Sequence, residues 1–167
     1  NSPAGQVAGQ QITGALHDPS ALKALCDIAD VVSFDLEDIG ADILMTLADA
    51  GVQMVPSPAV VRLIQNKLDQ KQHYTTHGIP TSKFMALPAD ADFSVVQEFG
   101  LPCVQKACTG GYDGRGVHII RNADDWAQRL QVESFIEAFV PDAMELAVMV
   151  ARNASGDMVA YDPVEMV

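Results

Sequence analysis

Lys106 stands three residues ahead of Thr109, where the loop "TGGYDGRG" runs to Gly116. Glycine tolerates positive φ and lets backbone N–H groups approach an anion with no Cβ in the way. A tip with glycines at 110, 111, 114 and 116 could therefore close over phosphates. Lys106, on the strand leading in, could point at those phosphates, and Arg115 could add a forked charge. The loop lacks Gly-Lys-[Ser/Thr] and passes from strand to strand, so it is neither a Walker A loop nor a Rossmann fingerprint. An ordinary hairpin tip stays open as the plain alternative.

Glu137 ends an apolar run, "AFV" follows, and Glu145 lies eight residues on. An extended segment there could offer backbone N–H and C=O groups to an adenine edge, while a carboxylate takes ribose hydroxyls. Solvated strand ends are the alternative for both glutamates. Lys67 and Lys71 are four apart and share a helix face, which also fits a solvated basic surface. His73 and His77 have the spacing of a metal pair, but no third ligand stands out, and late-helix histidines usually complement the helix dipole. Glu37 and Asp38 follow a strand at its carboxyl end, where α/β sheets place ligands. His17, His118 and Trp126 read as structural.

These residues need elements to hold them. Asp18-Pro19 opens a helix with Leu22, Leu25 and Ile28 at helical spacing. "VVSFDL" (31–36) reads as a buried strand, and "ADILMTLADAG" as a helix closed by Gly51. "VQMV" (52–55) reads as a second strand, so this part predicts a parallel α/β layer. Ser57-Pro58 caps a long helix reaching about His77. From Lys83 the pattern turns antiparallel: strands at 84–87, "PCVQKA", "VHIIR", "VESFIEAFV", "MELAVMVAR" and "MVAYDPVEMV", with helices at 93–99 and "ADDWAQRL". The last two strands are joined by "NASGD". A boundary is expected near residue 80. Helix gives way to strand at Leu130-Gln131-Val132 with almost no connector, so a loop is expected to be left out there.

The 167 residues carry a net charge of −12, which argues against nucleic-acid binding. No run reaches the ~18–20 apolar residues of a membrane helix, and "NSPAGQVAGQ" lacks the apolar core of a signal peptide. Cys26, Cys103 and Cys108 show no C-x-x-C and read as free thiols of a cytoplasmic protein. Both ends look cut, so a fragment is expected.

Taken together, "TGGYDGRG" with Lys106, "NKLDQKQHYTTHGIPT" and "ESFIEAFVPDAMELAVMVAR" resemble the ATP-grasp superfamily. Within it the likeness is to the 5-(carboxyamino)imidazole ribonucleotide synthases, with "GGYDGRG" the most specific part. "NSPAGQVA" and "VVSFDLEDI" fit as well, and the resemblance covers nearly the whole chain. It implies an α/β plus α+β fold: part of a Rossmann-like pre-ATP-grasp domain over 1–80, then over 81–167 the lid subdomain and the start of the C-terminal ATP-grasp subdomain. It implies that Lys67 and Lys106 bind ATP phosphates, Lys67 standing where the family usually has Arg. Gly110, Gly111, Tyr112, Asp113, Gly114, Arg115 and Gly116 would form the lid. Glu137, Ala138, Phe139 and Val140 would be the adenine hinge, and Glu145 would hold the ribose. Tyr112, Asp113 and Arg115 would also face 5-aminoimidazole ribonucleotide.

The implied reaction carboxylates that ribonucleotide with bicarbonate and MgATP, by way of carboxyphosphate, in purine biosynthesis. The metal ligands are expected outside the segment, and Glu165 has no motif that makes it one. A homodimer is the family's usual state. The family's opening glycine-rich strand–turn and its C-terminal strands are not found, so the segment alone is expected to be inactive. Another ATP-grasp ligase, or a nucleotide-binding module without chemistry, remains the alternative.

Overall fold

The computed structural model describes residues 2–111 and 115–166. After a 3-10 turn at Ala4–Gln6, helix α1 (Pro19–Cys26) is capped by Asp18, whose Oδ1 accepts from Ser20 N at 2.9 Å. Its buried residues are Leu22 and Cys26, while Leu25 and Ile28 are exposed. The buried stripe therefore runs at i, i+4 rather than along the predicted set. Helix α2 (Ala41–Asp49) ends at Gly51, which has φ +102°. Gly51 N donates to Ala48 O at 2.9 Å and Val52 N to Leu47 O at 3.1 Å, the paired bonds of a Schellman end.

The predicted parallel strands contract to one parallel bridge, Val32 to Met54. Val32 N donates to Gln53 O and Val55 N donates to Val32 O, both at 2.9 Å. Val32 is buried, but Val31 and Leu36 are mostly exposed, so "VVSFDL" is not a buried strand. Parallel pairs are weak per residue, and two short segments joined on one side close too few bonds for a ladder.

The long helix predicted from Ala59 to about His77, capped by Ser57-Pro58, is in fact two. Helix α3 (Pro58–Gln65) stops at Asn66, which takes extended angles (φ −108°, ψ 108°) and caps α4 (Lys67–Thr76). Asn66 Oδ1 accepts from Leu68 N at 3.0 Å and from Asp69 N at 3.2 Å. Asparagine makes a strong N-cap, so a local side-chain bond outcompetes continuation of the helix. The break frees Lys67 N to donate to Cys108 O at 2.8 Å.

Beyond α4 lies an antiparallel sheet of β1 (Phe84–Leu87), β2 (Cys103–Ala107), β3 (Val117–Ile120) and β4 (Ser134–Ala138), in the order β1-β4-β2-β3. Period-two alternation sorts its faces. Cys103, Ile120 and Ile136 lie on one face, in a core with Val96 of α5 (Phe93–Phe99) and Trp126 of α6 (Ala123–Ala127). The other face carries Lys106, opposite Phe135, and Glu137, opposite both Val104 and Phe84. A charged residue on the central strand β4 is thereby aimed away from the apolar core.

Helix α6 closes at Ala127, so residues 128–133 form the connector to β4. Gln105, fully buried, pins that connector: its Oε1 accepts from Leu130 N at 2.9 Å, and its Nε2 donates to Leu130 O at 3.1 Å and Ser134 Oγ at 2.8 Å. The two long C-terminal strands are each divided, into β5 (Leu146–Ala147) with β6 (Val150–Arg152), and β7 (Met158–Ala160) with β8 (Val164–Glu165). They pair as β5-β8 and β6-β7 around the predicted turn. Pro163, with no N–H to give a ladder, lies between β7 and β8. Cys26, Cys103 and Cys108 are free and buried, and burial pushes each thiol above its ordinary value. Among the described residues no helix is long and apolar enough to cross a membrane.

Asn66→Ala removes the cap that separates α3 from α4. The expected cost is about 1 kcal/mol, read as a lower urea midpoint with an unchanged slope.

Candidate functional site

Four side chains meet on the polar face of the sheet. Glu137 Oε2 accepts from Lys71 Nζ at 2.7 Å and from Ser82 Oγ at 2.9 Å, and Oε1 meets Lys106 Nζ at 2.5 Å. Lys71 reaches in from α4, Ser82 from the segment before β1, Lys106 from β2 and Glu137 from β4. The Glu137 side chain is only 10% exposed. It is therefore no solvated strand end, and Lys71, at 16%, is no solvated basic face. Lys71 Nζ also donates to Thr81 Oγ1 at 2.8 Å and Ser82 Oγ at 2.6 Å, and it lies 5.9 Å from the centre of the Phe84 ring.

Burial pushes the Glu137 carboxyl up, but contacts from Lys106 and Lys71, with the Ser82 hydroxyl, outweigh it and hold the group below its ordinary value. A carboxylate that keeps such partners stays ionised although buried.

A second group lies at the neck of the glycine loop. Lys67 Nζ donates to Gly111 O. Ala107 N donates to Gly116 O at 2.8 Å, closing the loop's base. The neck demands glycine, since a Cβ on Gly111 would sit 2.6 Å from Arg115 O and 3.1 Å from Lys67 Nζ. Gly116 has φ +77°, and a Cβ there would meet Gly111 Cα at 3.2 Å. Lys67, Thr109, Gly110 and Gly111 line a cavity of about 200 Å³ whose far wall is His17, Glu37, Asp38 and Gln65. Gln65 Nε2 donates to Glu37 O at 2.6 Å and Ile39 O at 2.8 Å, fixing that wall to α3, and His17 Nε2 lies 3.2 Å from Asp38 Oδ1.

Of the residues expected from the sequence, Lys106 and Glu137 are thus in direct contact, and Lys67, Gly110 and Gly111 share one cavity wall. Tyr112, Asp113 and Gly114 lie outside the described residues. Ala138 N is already taken by Lys83 O at 2.9 Å, which leaves Phe139 and Val140 as the open part of the expected hinge. Glu145 is exposed and has no side-chain hydrogen bond or ion pair among the described residues; its carbonyl accepts from Met166 N at 3.0 Å. His73 and His77 stack at 4.1 Å, with His77 Nδ1 2.9 Å from His73 O. His118 Nε2 bonds Asp125 O at 2.8 Å.

Sequence reasoning missed Ser82, and it treated Lys71 and His17 as ordinary. Lys71 had one usable signal, its i, i+4 relation to Lys67. The other two are brought in only by tertiary packing.

The ATP-grasp domain family matches residues 72–167, and the ribonucleotide synthetase pre-ATP-grasp domain family matches residues 1–65. The chain belongs to the ATP-grasp family. It is 35% identical, over 99% of its length, to the N5-carboxyaminoimidazole ribonucleotide synthase of Synechococcus elongatus, of which it covers 43%. It superposes on the crystal structure of N5-carboxyaminoimidazole ribonucleotide synthetase from Thermotoga maritima with a TM-score of 0.88 at 39% identity, covering 98% of this chain and 44% of that one. The N5-carboxyaminoimidazole synthase of Aspergillus clavatus, crystallised with ADP and 5-aminoimidazole ribonucleotide, gives a TM-score of 0.87 at 26% identity, covering 100% and 45%. The chain thus spans less than half the length of these relatives. It carries mixed α/β and antiparallel parts in the ATP-grasp arrangement.

Two outcomes follow from the geometry. Gly111→Ala drives a Cβ into a backbone carbonyl, and overpacking of this kind should cost roughly 1–3 kcal/mol, measured by urea unfolding. Glu137 has a lowered pKa, so its contribution to stability is complete above the ordinary value of 4.5 and is lost as pH falls from there through the folded value. Thermal scans should show Tm falling over that range, and Glu137→Gln should flatten that part of the profile.

Proposed function

We propose that the chain supplies the nucleotide grip of an enzyme that carboxylates 5-aminoimidazole ribonucleotide with bicarbonate and ATP. The product is 5-(carboxyamino)imidazole ribonucleotide, with ADP and phosphate, in purine biosynthesis. The observation that carries the reading is the Lys106–Glu137–Lys71 cluster placed beside a glycine neck gripped by Lys67. Likeness to such synthases over the whole chain supports it.

In this reading Lys106 and Lys67 bind the phosphates, and residues 110–116 close over them, with Arg115 as an added charge. Phe139 and Val140 present the open backbone to the adenine edge, Ala138 and Glu137 hold that segment to the sheet, and Glu145 meets the ribose. Tyr112, Asp113 and Arg115 face the ribonucleotide, and the cavity bounded by His17, Glu37, Asp38 and Gln65 is where its polar groups would lodge. A bicarbonate oxygen attacks the γ-phosphorus, the bond to ADP breaks and carboxyphosphate forms. The ribonucleotide's amine then attacks the carboxyl carbon, phosphate leaves and the amine loses a proton. Fixed cations lower the cost of the charge that develops in such transfers. A closed lid keeps water from carboxyphosphate.

Among the described residues no group of three or more His, Cys, Asp or Glu side chains could hold a metal. Mg2+ enters this reading with the nucleotide, and the resemblance to the family implies protein ligands outside this segment. We place the division between the pre-ATP-grasp part and the lid subdomain near residue 80, and the working enzyme in the cytoplasm as a homodimer.

The test is ADP release from MgATP and bicarbonate by the full-length protein, with and without 5-aminoimidazole ribonucleotide. Release should require the ribonucleotide and fall roughly 10²–10³-fold in Lys106→Ala, as when a charge-stabilising donor is lost. Nucleotide binding without ribonucleotide-dependent release would overturn the reaction and leave a different ATP-grasp ligase or a non-catalytic module.

A further inference from the structure

The two lysines that meet Glu137 are not equivalent. An ammonium group has three N–H donors. Those of Lys71 have three oxygen partners, Thr81 Oγ1, Ser82 Oγ and Glu137 Oε2, at 2.8, 2.6 and 2.7 Å. Lys71 is thus saturated, and its side chain is only 16% exposed. Lys106 is 33% exposed, and among the described residues its one ion-pair partner is Glu137 Oε1. It also stands at the end of β2 that leads into the glycine loop. The carboxylate is correspondingly divided: among the described residues Lys71 and Ser82 hold Oε2, and Lys106 holds Oε1.

An anion arriving at the loop competes with Oε1 for Lys106. Without other partners, losing Lys106 would strand a buried carboxylate, which is strongly unfavourable. With Oε2 already held by a cation and a hydroxyl, the carboxylate stays compensated when Lys106 turns away.

We propose that Lys71 is a positioning residue for nucleotide binding: by holding Glu137 through Oε2, with Ser82, it lets Lys106 exchange Oε1 for a phosphate oxygen. Lys71 itself never touches the nucleotide. This role rests on the nucleotide reading given above and adds to it a residue that acts through Glu137.

The discriminating experiment is a double-variant cycle in the full-length protein, with MgATP dissociation constants from calorimetry and folding checked by circular dichroism. Lys71→Met leaves Lys106 as the sole cation on Glu137 and should weaken binding tenfold or more. Glu137→Gln removes the charge that Lys71 serves, so adding Lys71→Met to Glu137→Gln should change affinity less than threefold. If Lys71→Met does not fold alone, Ser82→Ala gives the same comparison: weaker binding with Glu137 present, and no further loss with Gln at that position. A merely structural Lys71, or one that contacts phosphate directly, would cause the same loss in both backgrounds, and that result overturns the proposal. Failure of the unsubstituted protein to bind MgATP would overturn the nucleotide reading and this role with it. Normal binding with equal losses in both backgrounds would overturn this role alone.

Discussion

Burying one carboxylate constrains much of what surrounds it. Glu137 lies on the central strand β4, where alternation gives it the face opposite the apolar core. An unpaired charge there would be strongly destabilising, so the chain must bring cations to it. One comes from β2, the neighbouring strand, and the other from α4, which precedes the sheet in sequence. The ion pairs therefore join the helical part to the sheet. Such a cluster is weak evidence for net stability, because desolvation offsets attraction. Its effect is on geometry: α4, the Thr81–Ser82 segment and two strands are held in one arrangement.

The same helix solves a second problem through its start. Lys67 is the first residue of α4, where the helix dipole is positive and a cation is disfavoured. Two early N–H groups are satisfied by Asn66 Oδ1 and that of Lys67 by Cys108 O, so they do not offer themselves to a ligand. The free resource is the Lys67 side chain, directed at the Gly111 carbonyl. Repulsion between the Lys67 charge and the helix end is relieved by any anion drawn near. The break at Asn66 thus places a lysine beside the loop and also docks the helix on the Cys108 carbonyl.

Local chemistry was legible in the sequence, and tertiary partnership was not. Asp18-Pro19, Gly51 and the β2–β3 hairpin follow from caps, turn residues and alternation, all decided within a few residues. The "VVSFDL" strand failed because a β-branched run signals readiness to pair but cannot say how many neighbours are present. The long helix failed because Asn66 sits in a continuous helical pattern, where its capping bond outweighs a propensity difference of a fraction of a kcal/mol. At the site, Lys106, Lys67 and the glycines were visible as types at a spacing. That Glu137 meets Lys71 across 66 positions of sequence was not, since it takes both the register that gives Glu137 its face of the sheet and the placement of α4 against that face to bring them together.

The net charge of −12 looks like a handicap for gripping a polyanion, but charge acts by position. Surface carboxylates in water are screened beyond about 8–10 Å at ordinary ionic strength. Lysines 67, 71 and 106 converge at the loop and its supporting sheet, where burial weakens that screening. Among the described residues Glu137 is the carboxylate that pairs with both Lys71 and Lys106, leaving the Lys71–Glu137–Lys106 cluster with one positive charge in excess. A fully cationic cluster would repel itself and strain the sheet whenever no ligand is bound. One fixed carboxylate neutralises part of that repulsion, and because its two oxygens are held by different partners, it can do so without locking both lysines. The acidic surface then keeps copies of the chain apart by like-charge repulsion, and in the proposed reading the attraction for an anion is confined to the lysine cluster.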